Sequence, residues 1–258
     1  TESKIHDIDG YYEFEEKLGF DNILLGGSYK MYRPITNGTI FSDSDDIVNS
    51  NGEIEVDEYA FFTQFSKSVL DNLKIQAVLR YDGHSNFDSK ISPRFSFVYD
   101  VATSQHIRGS YQLGFANPTV QEQFNFLDVG IYKLTGGSKQ NAERLGIEHV
   151  FNNGIIQNSD GSFTTEATAY AQAENQISLE IGYKALINDN LFIDASYYSS
   201  EYNDPLDVKD VFDPNTCEEN ENGTYDCTSG DKYRLGVNRE GKDKLHGAGL
   251  TLGYNFKN

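Results

Sequence analysis

The sequence predicts an all-β fold in which antiparallel strands run up and down, each with one apolar and one polar face. Between residues 90 and 118, aromatic side chains recur at every second position, as in Phe95, Phe97 and Tyr99. Period-2 alternation is the pattern of a strand whose two faces meet different surroundings. The chain contains no run of about 18 apolar residues, which excludes a membrane-spanning helix. The connections between strands also fall into a short and a long class.

The same alternation predicts nine strands, bounded by turn residues such as the Asp71-Asn72 pair. The predicted strands lie at 1–19, 22–33, 58–70 and 74–81, twice within 90–118, and then at 176–186, 191–203 and 245–256. The segment 116–175 is too long for a plain connection, so we expect it to hold its own structure or to bind something.

The connections between the predicted strands fall into two length classes, one at each end of the sheet. If the strands go up and down, the short turns near 71, 101–105 and 188 share one end, and the long links 34–57, 116–175 and 204–244 share the other. A Greek-key sandwich gives no reason for this segregation. An outer-membrane barrel has short periplasmic turns, long extracellular loops and aromatic girdles at both interfaces, and aromatic residues do occur near both ends of the apolar face. We therefore expect a portion of a transmembrane β-barrel with long extracellular loops.

Negative charge is concentrated in two of the long links. The chain carries a net charge of −19, to which residues 34–57 contribute −6 and residues 204–231 contribute −8. Nucleic acid is excluded as a partner, because no basic stripe is present to displace counterions from phosphates. Cations or cationic ligands suit this chain better.

The two cysteines, Cys217 and Cys227, lie close together in the second acidic segment, within CEENENGTYDC. Without neighbouring histidines they make a poor zinc site, so we expect a local disulfide. A disulfide indicates an oxidising compartment such as the periplasm or the cell exterior.

Two chemical hypotheses concern the acidic residues and the histidines. The aspartates at issue are Asp204, Asp207, Asp210 and Asp213. They do not have EF-hand spacing, so they form either a solvated surface loop or a structural calcium site made with backbone carbonyls. We expect no other cofactor. The five histidines are scattered and no catalytic constellation is visible, so we expect no enzyme.

Alternation also predicts which polar side chains point inward, toward a lumen. The candidates are Arg94, Arg108, Gln112, Glu180 and Lys184. All five are candidates to face a ligand or a plug. Arg94 and Arg108 could contact an anionic substrate or the plug, or they could be ordinary lumen residues paired with acids.

Two stretches resemble a known family. The first is LRYDGHSNFDSKISPRFSFVYDVATSQHIRGSYQLGFANPTVQEQF, with Arg80-Tyr81-Asp82, Ser92-Pro93-Arg94 and GFANPT as its matching pieces. The second is ENQISLEIGYK at 174–184. At the start of this strand the family usually has Pro-Glu, whereas this chain has Ala173-Glu174. Together they resemble the barrel of a TonB-dependent outer-membrane receptor of the Bacteroidota type. The resemblance covers roughly residues 21–254.

The resemblance implies a barrel of about 22 strands around an N-terminal plug. Residues 1–258 would then be a single partial barrel domain, with the plug and the remaining strands absent from it. The implied function is TonB-dependent uptake of a scarce nutrient (siderophore, glycan, peptide or vitamin) at the cell outer membrane. The implied partners are outer-membrane lipid, the TonB complex through the missing N-terminal part, and a surface lipoprotein. The alternative is a secreted or surface-anchored all-β adhesion module without transport activity, which would be soluble without detergent.

Overall fold

The computed structural model describes residues 3–36, 40–41, 54–221 and 223–256. It consists mainly of strands. In chain order the elements are β1 (Lys4–Glu15), β2 (Asn22–Arg33), β3 (Val56–Leu70), β4 (Leu73–His84), β5 (Lys90–Ala102), β6 (Gln105–Ala116), α1 (Val120–Phe124), β7 (Phe126–Asp128), β8 (Lys133–Thr135), α2 (Lys139–Leu145), α3 (Glu148–Asn153), β9 (Ile155–Gln157), β10 (Phe163–Thr165), β11 (Glu174–Ile187), β12 (Leu191–Asn203), β13 (Leu206–Phe212), a 3₁₀ turn (Pro214–Thr216), β14 (Glu218–Glu219), β15 (Tyr225–Asp226), β16 (Lys232–Asn238) and β17 (Lys242–Tyr254).

The nine long strands form one antiparallel sheet in the order β1-β2-β3-β4-β5-β6-β11-β12-β17. All nine correspond to the strands predicted from the sequence. β2 and β12 have the predicted bounds, whereas β3, β4 and β11 are longer than predicted and β1 is shorter. Within the described part of the chain, β1 and β17 are the edges of this sheet, and each pairs on one side only. The molecule therefore presents a partial barrel rather than a closed one.

The register of the sheet keeps the apolar and the polar faces separate from strand to strand. Phe95 of β5 lies opposite Tyr111 of β6, whereas Ser96 lies opposite Ser110. Because side chains alternate along a strand, this matching continues over the whole sheet and gives it one apolar and one polar face. The apolar face is open in this chain, with Leu250 67% exposed. We call the apolar face the outer face and the polar face the inner face.

The two ends of the sheet differ in the length of their connections. At one end, strands are joined by short turns, and Ser104, Asn188 and Asp189 adopt the left-handed conformation that tight turns require. At the other end, the links 117–173 and 204–241 leave the sheet and return to it. The predicted sorting of short and long connections is therefore confirmed.

The long links fold into a second unit, which we call the cap layer. It comprises α1 to α3, the 3₁₀ turn, β7 to β10 and β13 to β16 with their connections. Its main sheet has six strands, in the order β10-β9-β13-β16-β8-β7. The expectation that 116–175 holds its own structure is confirmed. Residues 204–244, in contrast, are not a plain solvated loop, because β13 and β16 from this segment form the middle of the six-stranded sheet.

A compact hydrophobic core holds the cap layer together. Phe151 of α3 is fully buried, and its ring centroid lies 4.6 Å from that of Tyr170. Strand β16 turns Tyr233, Leu235 and Val237 toward the same core. Helix α2 begins at an N-cap, Ser138, and ends at Gly146 in the left-handed conformation. The cap layer thus has the internal packing of a small domain.

The cap layer is attached to the large sheet by a second cluster. Ile54 and Val56, at the start of β3, pack on the fully buried Phe124 of α1. The Asn86 side chain, in the link between β4 and β5, donates a 2.8 Å hydrogen bond to the Gln123 amide oxygen. These contacts fix the cap layer over the β2 to β4 region of the sheet.

Among the described residues, no helix is both long and apolar enough to cross a membrane. Most acids of the first acidic segment, namely Asp43, Asp45, Asp46 and Glu53, lie outside the described residues.

Candidate functional site

The inner face of the large sheet is the candidate functional site. Small and polar residues line it, and they hydrogen-bond to one another across strands. The hydroxyls of Ser178 and Ser200 are 2.8 Å apart, and the Gln176 amide donates hydrogen bonds to Ser178 and to the Tyr202 hydroxyl. Such a surface suits contact with water, a polar ligand or another protein segment rather than lipid.

Arg108 is the centre of an ionic cluster on this face. Its guanidinium lies 3.2 Å from Asp194 and 3.5 Å from Glu180. Gly182 leaves room for the guanidinium, because a Cβ there would lie 2.9 Å from the guanidinium carbon. Of the alternatives predicted for Arg108, pairing with acids is the one this geometry favours. Asp194 was not among the predicted site residues, although its alternation on β12 places it on the inner face.

The other predicted lumen residues also lie on the inner face but do not join this cluster. Arg94 lies opposite Gln112 and Val78, and no ion pair to it is found within the described residues. The Lys184 ammonium lies 5.5 Å from the centre of the Phe192 ring, a cation–π contact. Whether these side chains touch a ligand or a plug stays a prediction.

A depression of about 580 Å³ opens on the inner face of β1 to β4, at the end where the long links begin. Sequence reasoning missed it. Its charged lining residues are Asp7, Asp9, Lys30, Glu58, Arg80 and Asp82. Asp7 and Asp9 alternate along β1 with the apolar Ile8, so period 2 was a usable signal here. The acids nearby made this strand look weakly patterned.

The predicted calcium ligands are spread over the second long link. Asp210 binds Arg234 and Lys232 on the neighbouring β16. Hydrogen bonds from Arg234, and next those from Lys232, outweigh burial and lower the pKa of the Asp210 carboxyl to about 2. Asp213 caps the 3₁₀ turn and contacts His149.

The two remaining aspartates also lie apart. Asp207 lies 3.5 Å from Arg239, and Asp204 begins the link with a left-handed backbone. In the described part of the chain, no group of three His, Cys, Asp or Glu side chains is arranged to hold a metal. The geometry therefore gives the calcium hypothesis no support, and ion binding stays a prediction.

The predicted disulfide is confirmed. Cys217 and Cys227 are bonded, with their Cα atoms 4.5 Å apart, and neither cysteine is free. The bond closes the β14–β15 hairpin of the cap layer. It restrains a segment that contains four acidic residues, Glu218, Glu219, Glu221 and Asp226.

The comparisons with known proteins identify the family. A sequence model described as "TonB dependent receptor-like, beta-barrel" matches residues 3–258. The chain therefore belongs to the family of TonB-dependent receptor β-barrels. A comparison with curated protein sequences finds no match.

Solved structures agree on the fold. The siderophore receptor PirA from Pseudomonas aeruginosa is 13% identical with a TM-score of 0.63, and the match covers 97% of this chain and 40% of that one. A variant of the ferric enterobactin receptor PfeA from the same organism is 15% identical with a TM-score of 0.62, covering 97% and 33% of the two chains. The FrpB iron transporter from Neisseria meningitidis is 14% identical with a TM-score of 0.57, covering 99% and 34%. The chain spans between a third and two-fifths of the length of these structures.

Proposed function

We propose that this chain is a membrane-spanning part of a TonB-dependent outer-membrane receptor that takes up a scarce nutrient. The observation that carries the proposal is the contrast between the two faces of one continuous sheet. The outer face exposes large apolar side chains such as Phe61 and Leu252, 64% and 63% exposed, whereas the inner face carries serines, glycines and ion pairs. An exposed apolar face of this size is costly in water and stable in lipid.

Strand length supports a location in the outer membrane. The shortest strands of the large sheet have 12 residues. At about 3.4 Å per residue and a tilt of about 40°, such a strand spans about 31 Å along the membrane normal, close to the ~30 Å hydrocarbon core. We therefore assign the sheet to the bilayer, in contact with outer-membrane lipid, and the cap layer to the outside of the cell.

We further propose that other parts of the receptor complete the assembly. The edges β1 and β17 would pair with further barrel strands, and a plug would contact the inner face. Energy would come from the TonB complex through a segment outside residues 1–258, and a surface lipoprotein would dock on the extracellular side. The role is binding and transport rather than catalysis. Because the names of the structural neighbours include siderophore receptors and an iron transporter, a siderophore is the first nutrient to test, before a glycan, a peptide or a vitamin.

Single introduced cysteines test the membrane assignment, because both native cysteines are already bonded. Leu250→Cys places a thiol on the outer face, and Val208→Cys places one in the cap layer. The two native side chains are comparably exposed, 67% and 54%, and both lie on strands. In intact cells, a hydrophilic maleimide should label the Val208→Cys variant, whereas the Leu250→Cys variant should react only with a lipid-soluble maleimide.

Equal labelling of both variants by the hydrophilic reagent would place the outer face in water and favour the adhesion-module alternative. Transport is tested separately. Uptake of the radiolabelled nutrient should fall to the same level when the receptor gene is deleted and when TonB is inactivated. Uptake that persists without TonB would refute the proposed energy source.

A further inference from the structure

The depression on the inner face of β1 to β4 has the shape of a binding site. Its floor is made of small residues on neighbouring strands, Ser28 of β2 and Ala60 of β3, which lie opposite each other. Larger polar and aromatic side chains rise around this floor, so a ligand of moderate size could approach the sheet closely. The volume of about 580 Å³ lies within the range of small-molecule sites.

An aromatic side chain forms one wall of the depression. The Phe62 ring lies against the backbone of Gly26, where a Cβ would come within 2.3 Å of the ring. The guanidinium of Arg80, on the neighbouring β4, lies 5.8 Å from the centre of the Phe62 ring. Glycine at this position therefore leaves room for the observed orientation of the Phe62 ring.

The charges around the depression do not cancel. Four acids and two bases line it. Asp7 is paired with Lys30 at 3.2 Å, and Asp82 is paired with Arg80 at 2.8 Å. No lysine or arginine in the described ranges forms an ion pair with Asp9 or Glu58, and the lining as a whole has two more acids than bases.

His84 does not neutralise Glu58. Its side chain is only 2% exposed, and its Nδ1 accepts a 3.0 Å hydrogen bond from the Asn86 backbone N–H. Because Nδ1 is an acceptor, the ring is neutral and its single proton is on Nε2. That buried Nε2 has no hydrogen-bond partner among the described residues, and it lies 3.5 Å from the Glu58 carboxylate. His84 therefore supplies no positive charge to Glu58.

An unpaired acceptor also lies in the wall of the depression. The Asn117 amide oxygen is buried and has no hydrogen-bond partner in the described part of the chain, and Asn117 lines the depression. Buried polar atoms are normally paired, so this oxygen is available to a donor on a ligand in the cavity. The carboxylates of Asp9 and Glu58 are acceptors as well when they are ionised.

We propose that this depression binds a positively charged, amine-bearing part of the transported nutrient. The inference rests on the proposed function, since it names the chemical class of ligand for that lumen. An anionic group would meet a lining with two more acids than bases and an unpaired carbonyl oxygen, which disfavour it. A protonated amine supplies positive charge to the acidic lining and N–H donors to its acceptor oxygens.

The charge preference can be measured without knowing the nutrient. Ser28→Cys places a thiol on the floor of the depression in the full-length receptor, in detergent. We would compare its reaction rate with a cationic trimethylammonium methanethiosulfonate and with the anionic sulfonate analogue, each normalised to its rate with free mercaptoethanol. A net charge of −2 about 7 Å from the thiol, at physiological salt, should make the normalised rate ratio favour the cationic reagent about fivefold. Spermidine should slow both reactions by occupying the site.

Charge-neutralising variants provide the matched controls. In the Ser28→Cys background, the double change D9N and E58Q should bring the ratio close to one and abolish protection by spermidine. E15Q removes an acid from the same inner face of β1 but outside the depression, and it should leave the ratio unchanged. A ratio of one or below in the Ser28→Cys variant would overturn the inference, as would a ratio that D9N and E58Q do not alter.

The outcomes also separate this inference from the proposed function. If Ser28→Cys reacts readily with both reagents but without charge preference, and Leu250→Cys still reacts only from lipid, the barrel assignment survives and the ligand class is wrong. If Ser28→Cys reacts with neither hydrophilic reagent while Leu250→Cys still reacts only from lipid, another segment of the receptor covers the depression. That result would overturn the ligand inference and leave the barrel assignment standing.

Discussion

Replacing Phe151 by alanine should open the cap layer while the nine-stranded sheet stays in the membrane. Phe151 is fully buried at the centre of the cap-layer core, where it contacts Tyr170 and packs with residues of α2, β13 and β16. Most of these contacts lie within the cap layer itself. The large sheet has its own hydrogen-bond ladders, so it does not depend on this core.

The expected magnitude follows from the burial. Truncation of a fully buried phenylalanine to alanine costs about 3–5 kcal/mol, from lost transfer free energy and from the cavity left behind. At about 1.4 kcal/mol per factor of ten, a loss of about 4 kcal/mol raises the opened fraction of the cap layer roughly a thousandfold. Phe163→Ala is the matched control, because that ring is only partly buried, 5.5 Å from Phe212. We expect about 1 kcal/mol there, roughly a fivefold effect.

Pulses of trypsin on intact cells measure the opening. Arg144 lies in α2 and is held by hydrogen bonds to the Phe124 carbonyl and to Asn141, so cleavage after it requires the layer to open. When opening is fast compared with cleavage, the cleavage rate follows the opened fraction. Equal rates for the Phe151→Ala and Phe163→Ala variants would refute the assigned core. Loss of the receptor from the membrane would refute the independence of the cap layer.

Three further predictions concern single features. Reduction of the Cys217–Cys227 disulfide should speed proteolysis within 218–226 and leave the large sheet intact. The masses of the proteolytic fragments measure this, and identical fragments with and without reductant would contradict a restraining role. Because the pKa of Asp210 is lowered to about 2, its carboxylate stabilises the cap layer above about pH 4, and this stabilisation is lost as the pH falls toward 2. Amide hydrogen exchange should therefore show that the cap layer opens in acid, and the increase in exchange between pH 4 and pH 2 should be smaller in the D210N variant. Gly26→Val should lower the amount of receptor in the outer membrane, because the Phe62 ring must turn away from the new side chain. Gly114→Val, whose nearest neighbour is 3.8 Å away, should leave that amount unchanged, and equal amounts of the two variants would refute the steric argument.

The large sheet could be predicted because its signal is local. In β5 and β6, residues such as Phe95 and Ser96 alternate over more than ten positions, so period 2 identifies both the strand and its faces. The short turns add a second local signal. The order of the strands then follows from the up-and-down connection alone, without knowledge of any long-range contact.

The cap layer was only partly predictable, because its elements are short and depend on distant partners. Strand β13 contains Asp207, Lys209 and Asp210, and it reads as a charged loop until β16 supplies the basic residues that pair with it. Strand β16 did carry a usable signal, since Tyr233 and Leu235 alternate with polar residues in KYRLGVN. Strands of two or three residues, such as those of the disulfide hairpin, give no periodicity at all.

The candidate site, too, was only partly predictable from the sequence. Alternation placed Arg108 and Glu180 on the inner face, but the pairing of Arg108 with Asp194 depends on the register between three strands, which a single sequence does not specify. The depression was missed for a related reason. Its acids come from β1, β3 and β4, and only the assembled sheet brings Asp9 and Glu58 to the same cavity.

The last prediction is that residues 1–258 alone do not form a sealed barrel. Strand β1 has 12 residues and β17 has 13, and in the described sheet each has one side without a partner. In lipid, each unpaired N–H or C=O costs several kcal/mol, so these edges must pair with something. Direct pairing of β1 with β17 would close a barrel of nine strands, whose interior is normally filled with side chains. The inner face of β17 instead carries Gly247, Gly249 and Gly253, which fill little space. The isolated segment should therefore run as unfolded protein on unheated gels, while the full-length receptor should show a compact, heat-sensitive band. A compact band from the segment alone would show that nine strands suffice and would refute the argument from the empty interior.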